Sequence, residues 1–96
     1  MIRAEIFANN SAKDDLLAAL EAVLPNFAYS LIPLALGSGH SAIKAGTPVW
    51  PEGNFVLVAY LDDHQEGIVR TAVQLIKLRL QREGIKLFVL HDCADR

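Results

Sequence analysis

The sequence predicts an α+β fold of the ferredoxin-like type, in which two helices cover one face of a four-stranded antiparallel sheet. Segments with strand and helix periodicity follow one another in the order β-α-β-β-α-β. A chain of 96 residues that is 52% apolar has room for one core, so we expect a single domain, residues 1–96. Right-handed crossovers through both helices then give the strand order 4-1-3-2.

The first predicted strand and helix occupy the N-terminal quarter of the chain. Residues 2–8 alternate between two faces, one with Ile2, Ala4, Ile6 and Ala8 and the other with Arg3, Glu5 and Phe7. Ser11, three residues before Asp14, predicts a capped helix N-terminus. Pro25 predicts the end of this helix, because the residue before a proline is pushed away from helical conformation.

The middle of the sequence predicts two strands separated by a long loop. Residues 27–36 form a strand that Pro33 confines to a sheet edge, because proline has no N–H group to donate to a neighbour. Residues 37–53 hold 4 of the 6 glycines and 2 of the 4 prolines, which favours an irregular loop. The unbroken apolar run 55–61 is typical of a central strand.

The last third of the chain predicts a helix and a strand. Asp63 and Glu66 have the spacing of a capping pair, and Gly84 is a candidate left-handed residue at the end of this helix. Residues 85–91 then alternate as a fourth strand.

Two helices cover only one face of such a sheet, so the other face meets water or another subunit. The residues expected there are Phe7, Val56, Val58, Tyr60, Phe88 and Leu90, together with Arg3, Glu5 and Lys86. This apolar content predicts an oligomer built on the sheet face, with Arg3 and Glu5 paired across or beside the interface. The alternative is a monomer with a half-polar face.

The run GTPVWPEGN, residues 46–54, resembles the small nitrogen-regulatory P-II-like proteins. The resemblance implies a homotrimeric signalling protein of ferredoxin-like fold, with small-ligand sites in clefts between subunits. It makes residues 37–53 the counterpart of an effector loop that contacts a regulated protein partner. The glycine-rich ATP loop of signal proteins in this group is not recognisable, because only residues 82–84 connect the second helix to the fourth strand. A nucleotide and a divalent metal are the two candidate ligands.

Four residues of the 37–53 loop are candidates for ligand binding: Ser38, His40, Lys44 and Trp50. Glycines beside His40 let the backbone approach a ligand, and Lys44 offers a mobile cation for a carboxylate or phosphate. Trp50, held between prolines, either caps a pocket between subunits or closes the loop onto its own domain.

A second hypothesis is copper or zinc binding. His91 and Cys93 are two residues apart, so an extended chain points both side chains to one side. His40 or a second subunit would complete the ligand set, as in the trimeric divalent-cation-tolerance proteins that this arrangement resembles. A frayed tail is the simpler reading, and a third hypothesis is a protein-interaction module that needs no ligand.

Composition argues against several other classes of protein. A net charge of −2 and a pI near 5.8 leave no basic surface for nucleic acid. Cys93 is the one cysteine, which rules out an internal disulfide and favours a reducing compartment. No recognisable signal peptide or long apolar run occurs, so we expect a cytoplasmic protein without membrane insertion. No spacing typical of a catalytic set is present, and we expect a regulator rather than an enzyme.

Overall fold

The computed structural model describes residues 1–35 and 53–94. Its elements are β1 (Ile2–Asn9), a 3-10 turn (Asn10–Ala12), α1 (Lys13–Val23), β2 (Ser30–Ala35), β3 (Asn54–Leu61), a second 3-10 turn (Asp63–Gln65), α2 (Glu66–Arg79) and β4 (Ile85–Leu90). The strands form one antiparallel sheet in the order β2-β3-β1-β4. This confirms the predicted ferredoxin-like fold and strand order, with β2 at an edge and β3 inside.

The core lies between the two helices and one face of the sheet. On β1 the alternate residues Ile2, Ala4, Ile6 and Ala8 are buried, as their spacing predicts. They lie beside Leu61, Ala59, Leu57 and Phe55 of β3. The helices contribute Leu16, Leu20, Val69, Val73 and Ile76, which recur every three or four residues and therefore face the sheet together.

Each helix begins with a 3-10 turn, and its cap lies before the predicted position. The Asn9 side chain accepts a hydrogen bond from the backbone N–H of Ser11, with Oδ1 and N 2.9 Å apart. The predicted cap at Ser11 is therefore wrong, because Ser11 already lies inside the turn. At the second helix the capping box joins Asp62 to Gln65, one residue earlier than predicted.

The connections also end the elements at somewhat different residues than predicted. Leu24, with φ −129° and ψ 70°, leaves the helical region immediately before Pro25, as predicted. Helix α2 ends at Arg79, so Gly84 is too distant to cap it, and its φ does not lie in the left-handed region. Strand β2 begins at Ser30 rather than at residue 27.

The antiparallel pairing gives the sheet two distinct ends. At one, the loop end, Asn9, Ala35 and Asn54 lie side by side, and Asn10 N–H donates to the carbonyl of Gly53 at 3.0 Å. Both attachment points of the segment 36–52 are therefore at the loop end. At the other, the terminal end, β1 starts and both β3 and β4 finish.

Candidate functional site

The face of the sheet opposite the helices, which we call the open face, carries three rows of side chains. One row crosses β3, β1 and β4 through Tyr60, Arg3 and Leu90, and the next crosses all four strands through Ser30, Val58, Glu5 and Phe88. The third row consists of Ile32, Val56, Phe7 and Lys86. These positions confirm the predicted set and add Ser30 and Ile32 from β2.

Large apolar side chains on the open face are exposed in the single chain. Phe7 and Phe88 pack edge to face, with ring centroids 5.8 Å apart and planes at 84°. Their exposed fractions are 40% and 51%, and that of Ile32 is 50%. Together with half-exposed Tyr60 and Leu90, they form a patch of the kind that marks interaction surfaces.

A polar network lies among these apolar groups. Arg3 Nε donates to Glu5 Oε2 at 2.6 Å, and Arg3 Nη1 donates to the Tyr60 hydroxyl at 2.6 Å. The Glu5 carboxylate, followed by the Tyr60 hydroxyl, raises the pKa of the Arg3 guanidinium, which stays charged. Arg3 and Glu5 are thus paired within one chain and on the surface that was predicted to be an interface.

The predicted ligand residues Ser38, His40, Lys44 and Trp50 lie outside the described residues. The structure does describe where their segment is attached, between Ala35 and Gly53 at the loop end. Asn9 lies at this end and was missed by the sequence analysis. Among the buried residues of the described ranges, Asn9 is the one polar residue, with 5% of its surface exposed. Its side chain accepts a hydrogen bond from the backbone N–H of Ser11.

The proposed metal ligands His91 and Cys93 are described, and they lie at the terminal end. Asp92 between them has φ 61°, so the chain is not extended there. The alternation of an extended strand therefore does not place the two side chains on one side, contrary to the prediction. His91 Nε2 lies 2.5 Å from Glu66 Oε1, whereas Cys93 Sγ donates to the Leu90 carbonyl at 3.7 Å. Across residues 1–35 and 53–94 no three His, Cys, Asp or Glu side chains are grouped to hold a metal ion.

Ion pairs join Met1 and His91 to the start of the second helix and the 3-10 turn before it. Glu66 contacts both Arg70, at 2.7 Å, and His91; the Arg70 guanidinium, followed by His91, lowers the pKa of the Glu66 carboxyl. The amino group of Met1 lies 2.9 Å from Asp63 and lowers the pKa of that carboxyl. Cys93 N–H also donates a hydrogen bond to the Met1 carbonyl at 3.0 Å. Polar contacts therefore link the two ends of the described chain at the terminal end of the sheet.

A cleft of about 390 Å³ opens between the end of α1 and the start of α2. Its apolar walls include Val23, Phe27 and Ile68, and its polar groups include His64 and Gln65. The His64 side chain is exposed on the 3-10 turn, as expected for a residue at a helix start.

Comparison with known proteins relates this fold to P-II-like proteins. CPII, a nitrogen regulatory PII-like protein from Thiomonas intermedia, solved with ADP and bicarbonate, superposes with a TM-score of 0.73 at 14% identity. The match covers 93% of this chain and 82% of that one. No protein-family model matches the sequence, and no curated protein does.

Two further solved structures have the same fold at a lower TM-score of 0.55. One is a Thermus thermophilus protein that is provisionally described as a PII-like signaling protein. It is 18% identical, and the match covers 93% of this chain and 83% of the Thermus chain. A DUF3240 family protein from Shewanella baltica is 14% identical over 99% of this chain and 96% of its own. The chain therefore has the ferredoxin-like fold of P-II-like proteins. In the two described ranges, no helix is long and apolar enough to cross a membrane.

Proposed function

We propose that this chain is a non-enzymatic P-II-like regulator in the cytoplasm. It assembles as a homotrimer through the open face and responds to a small ligand through residues 37–53. The observation that carries this proposal is the likeness to CPII over 93% of the chain, combined with the apolar open face. The GTPVWPEGN run, residues 46–54, which precedes β3 in the sequence and ends at its first residue, agrees with it.

The proposed ligand is a small anion, with a nucleotide, bicarbonate or a carboxylate as the first candidates. CPII has been solved with ADP, AMP, bicarbonate and acetate, which all carry negative charge. In this chain, Lys44 supplies a cation, Ser38 and His40 supply hydrogen-bonding groups, and Trp50 supplies an aromatic surface. Because both ends of the segment are at the loop end, the proposed ligand cleft is there, between neighbouring copies.

Signalling requires that the ligand discriminate between two states of the 37–53 segment. A ligand shifts an equilibrium only by the difference in its affinity for the two states. We propose that ligand contacts favour the state of the segment that a regulated protein partner recognises.

Isothermal titration calorimetry with ADP, AMP, bicarbonate and acetate tests this function. We expect at least one of these anions to bind the wild-type protein, and Lys44→Ala to weaken binding about tenfold by removing one charge-assisted contact. Lys77→Ala, which removes an exposed lysine from α2, is the matched control and should bind as the wild type does.

Other outcomes identify the competing functions. Heat on adding Zn²⁺ or Cu²⁺ that disappears in the His91→Ala, Cys93→Ser double variant would favour the metal-binding function instead. Absence of heat with every anion and metal would remove the sensor function for those ligands and leave a protein-interaction module. Such a module would lose partner capture on deletion of residues 40–50.

A further inference from the structure

Arg3, Glu5 and Tyr60 form a polar network on the two central strands of the open face, β1 and β3. Two hydrogen bonds of 2.6 Å join the Arg3 guanidinium to the Glu5 carboxylate and the Tyr60 hydroxyl. The guanidinium carbon also lies 5.6 Å from the centre of the Tyr60 ring, which is within the range of cation–π attraction. One cation faces one carboxylate, so the network is neutral as a unit.

The residues on either side of this network are mostly apolar. Glu5 lies between Val58 and Phe88 on the neighbouring strands, and Arg3 lies between Tyr60 and Leu90. Within the described ranges, Arg3 is the only ion-pair partner of Glu5. Any molecule that covers the face therefore removes water from two charges that neutralise each other.

Lys86 is the other charged residue of the open face, and its position differs. It lies on the edge strand β4, at a corner of the face beside Phe7, and takes part in no ion pair among the described residues. A long lysine side chain at a corner keeps its ammonium in water while its stem covers apolar surface. On the central strands β1 and β3 the charges of the open face therefore cancel, which suits another copy of the same face.

We infer that the Arg3–Glu5–Tyr60 network is the specificity element of self-association, with a second copy of this chain as the partner. This inference rests on the proposed assembly through the open face. The pair acts as a unit, because copies bury the face at low electrostatic cost only while each guanidinium keeps its carboxylate. An unrelated apolar surface would leave the remaining guanidinium N–H groups without acceptors, whereas another copy supplies Glu5 and Tyr60 oxygens.

Single and double substitutions of a buried ion pair are expected to change the association affinity by different amounts. Removing one member leaves an uncompensated charge in the interface, which is more harmful than removing both and filling the space with apolar side chains. The single changes Arg3→Met and Glu5→Gln should each weaken association at least about thirtyfold. The double change Arg3→Met, Glu5→Leu should associate within about tenfold of the wild type, or more tightly.

Sedimentation velocity over a range of protein concentrations measures these affinities. Lys86→Met is the matched control, since it removes a charge from the same face outside the network, and it should not weaken association. Circular dichroism establishes that each variant is folded. If a single-charge variant does not fold, Tyr60→Phe decides, because loss of one hydroxyl acceptor should weaken association several-fold with the ion pair intact.

The outcomes separate this inference from the proposed assembly. Single variants that associate within about threefold of the wild type would overturn the inference and leave the assembly standing. A double variant as weak as the single variants would also overturn it. A wild-type protein that stays a single chain would remove the proposed assembly itself, and the inference with it.

Discussion

Truncating Phe88 should weaken self-association, because this ring is one of the largest exposed apolar groups on the open face. Phe88 is 51% exposed in the single chain. An aromatic side chain has about 200 Å² of surface, so covering the face would bury about 100 Å² of this ring. At about 25 cal/mol per Å², that burial stabilises the assembly by about 2.5 kcal/mol per subunit. Phe88→Ala should therefore weaken association roughly sixtyfold per subunit.

Leu78→Ala is the matched control for this experiment. Leu78 on α2 is 57% exposed, a fraction similar to that of Phe88, but it lies in the helical layer on the other side of the sheet. Sedimentation velocity on both variants should show dissociation of Phe88→Ala at concentrations where Leu78→Ala remains assembled. Equal association of the two variants would refute the assignment of the interface to the open face.

Three further predictions concern the fold. Leu16→Ala, in the fully buried part of α1, should lower the free energy of unfolding by about 3 kcal/mol in urea titrations; a loss below 1 kcal/mol would contradict its place in the core. Asn9→Ala should cost about 1 kcal/mol because the Ser11 N–H loses its acceptor, whereas Ser11→Ala, which keeps that N–H, should cost less. Arg70 and His91 lower the pKa of Glu66 from its ordinary 4.5. The contacts of the ionised Glu66 carboxylate therefore stabilise the folded chain above that pH, and this stabilisation is lost as the pH falls through the lowered pKa. Glu66→Gln should therefore flatten the fall in melting temperature below about pH 4.5, and an unchanged pH profile would contradict the effect of this cluster.

The periodicity of the sequence predicted the strands and most residues of the open face, and the right-handedness of the crossovers predicted the strand order, whereas Ser30 and Ile32 of β2 were missed. Alternation in β1 places Ile6 in the core and Phe7 on the open face, because one residue separates the two sides of a strand. Pro33 at an edge follows from its missing N–H. These features depend on short-range geometry, which the sequence carries directly.

The element ends were harder to predict, because several residues could satisfy the same backbone groups. Both helices start with an added 3-10 turn, which moves the cap to Asn9 in one case and Asp62 in the other. Since Ser, Asp and Asn all cap helices well, composition alone does not choose among neighbours. Likewise, nothing in the sequence indicated that Asp92 would adopt a left-handed backbone conformation and interrupt the extended geometry between His91 and Cys93.

The candidate site was predicted only in part. The open face follows from strand alternation, but the Arg3–Tyr60 contact depends on the register between β1 and β3. The predicted ligand residues of the 37–53 loop lie outside the described residues, and ligand binding there stays a prediction.

The mass of the wild-type protein in solution shows whether the open face holds copies of this chain together. Light scattering at micromolar concentration should give three times the 10.5 kDa of one chain, because the proposed homotrimer covers the open face of each copy with the other two. A stable mass of one chain at this concentration would rule out assembly through the open face.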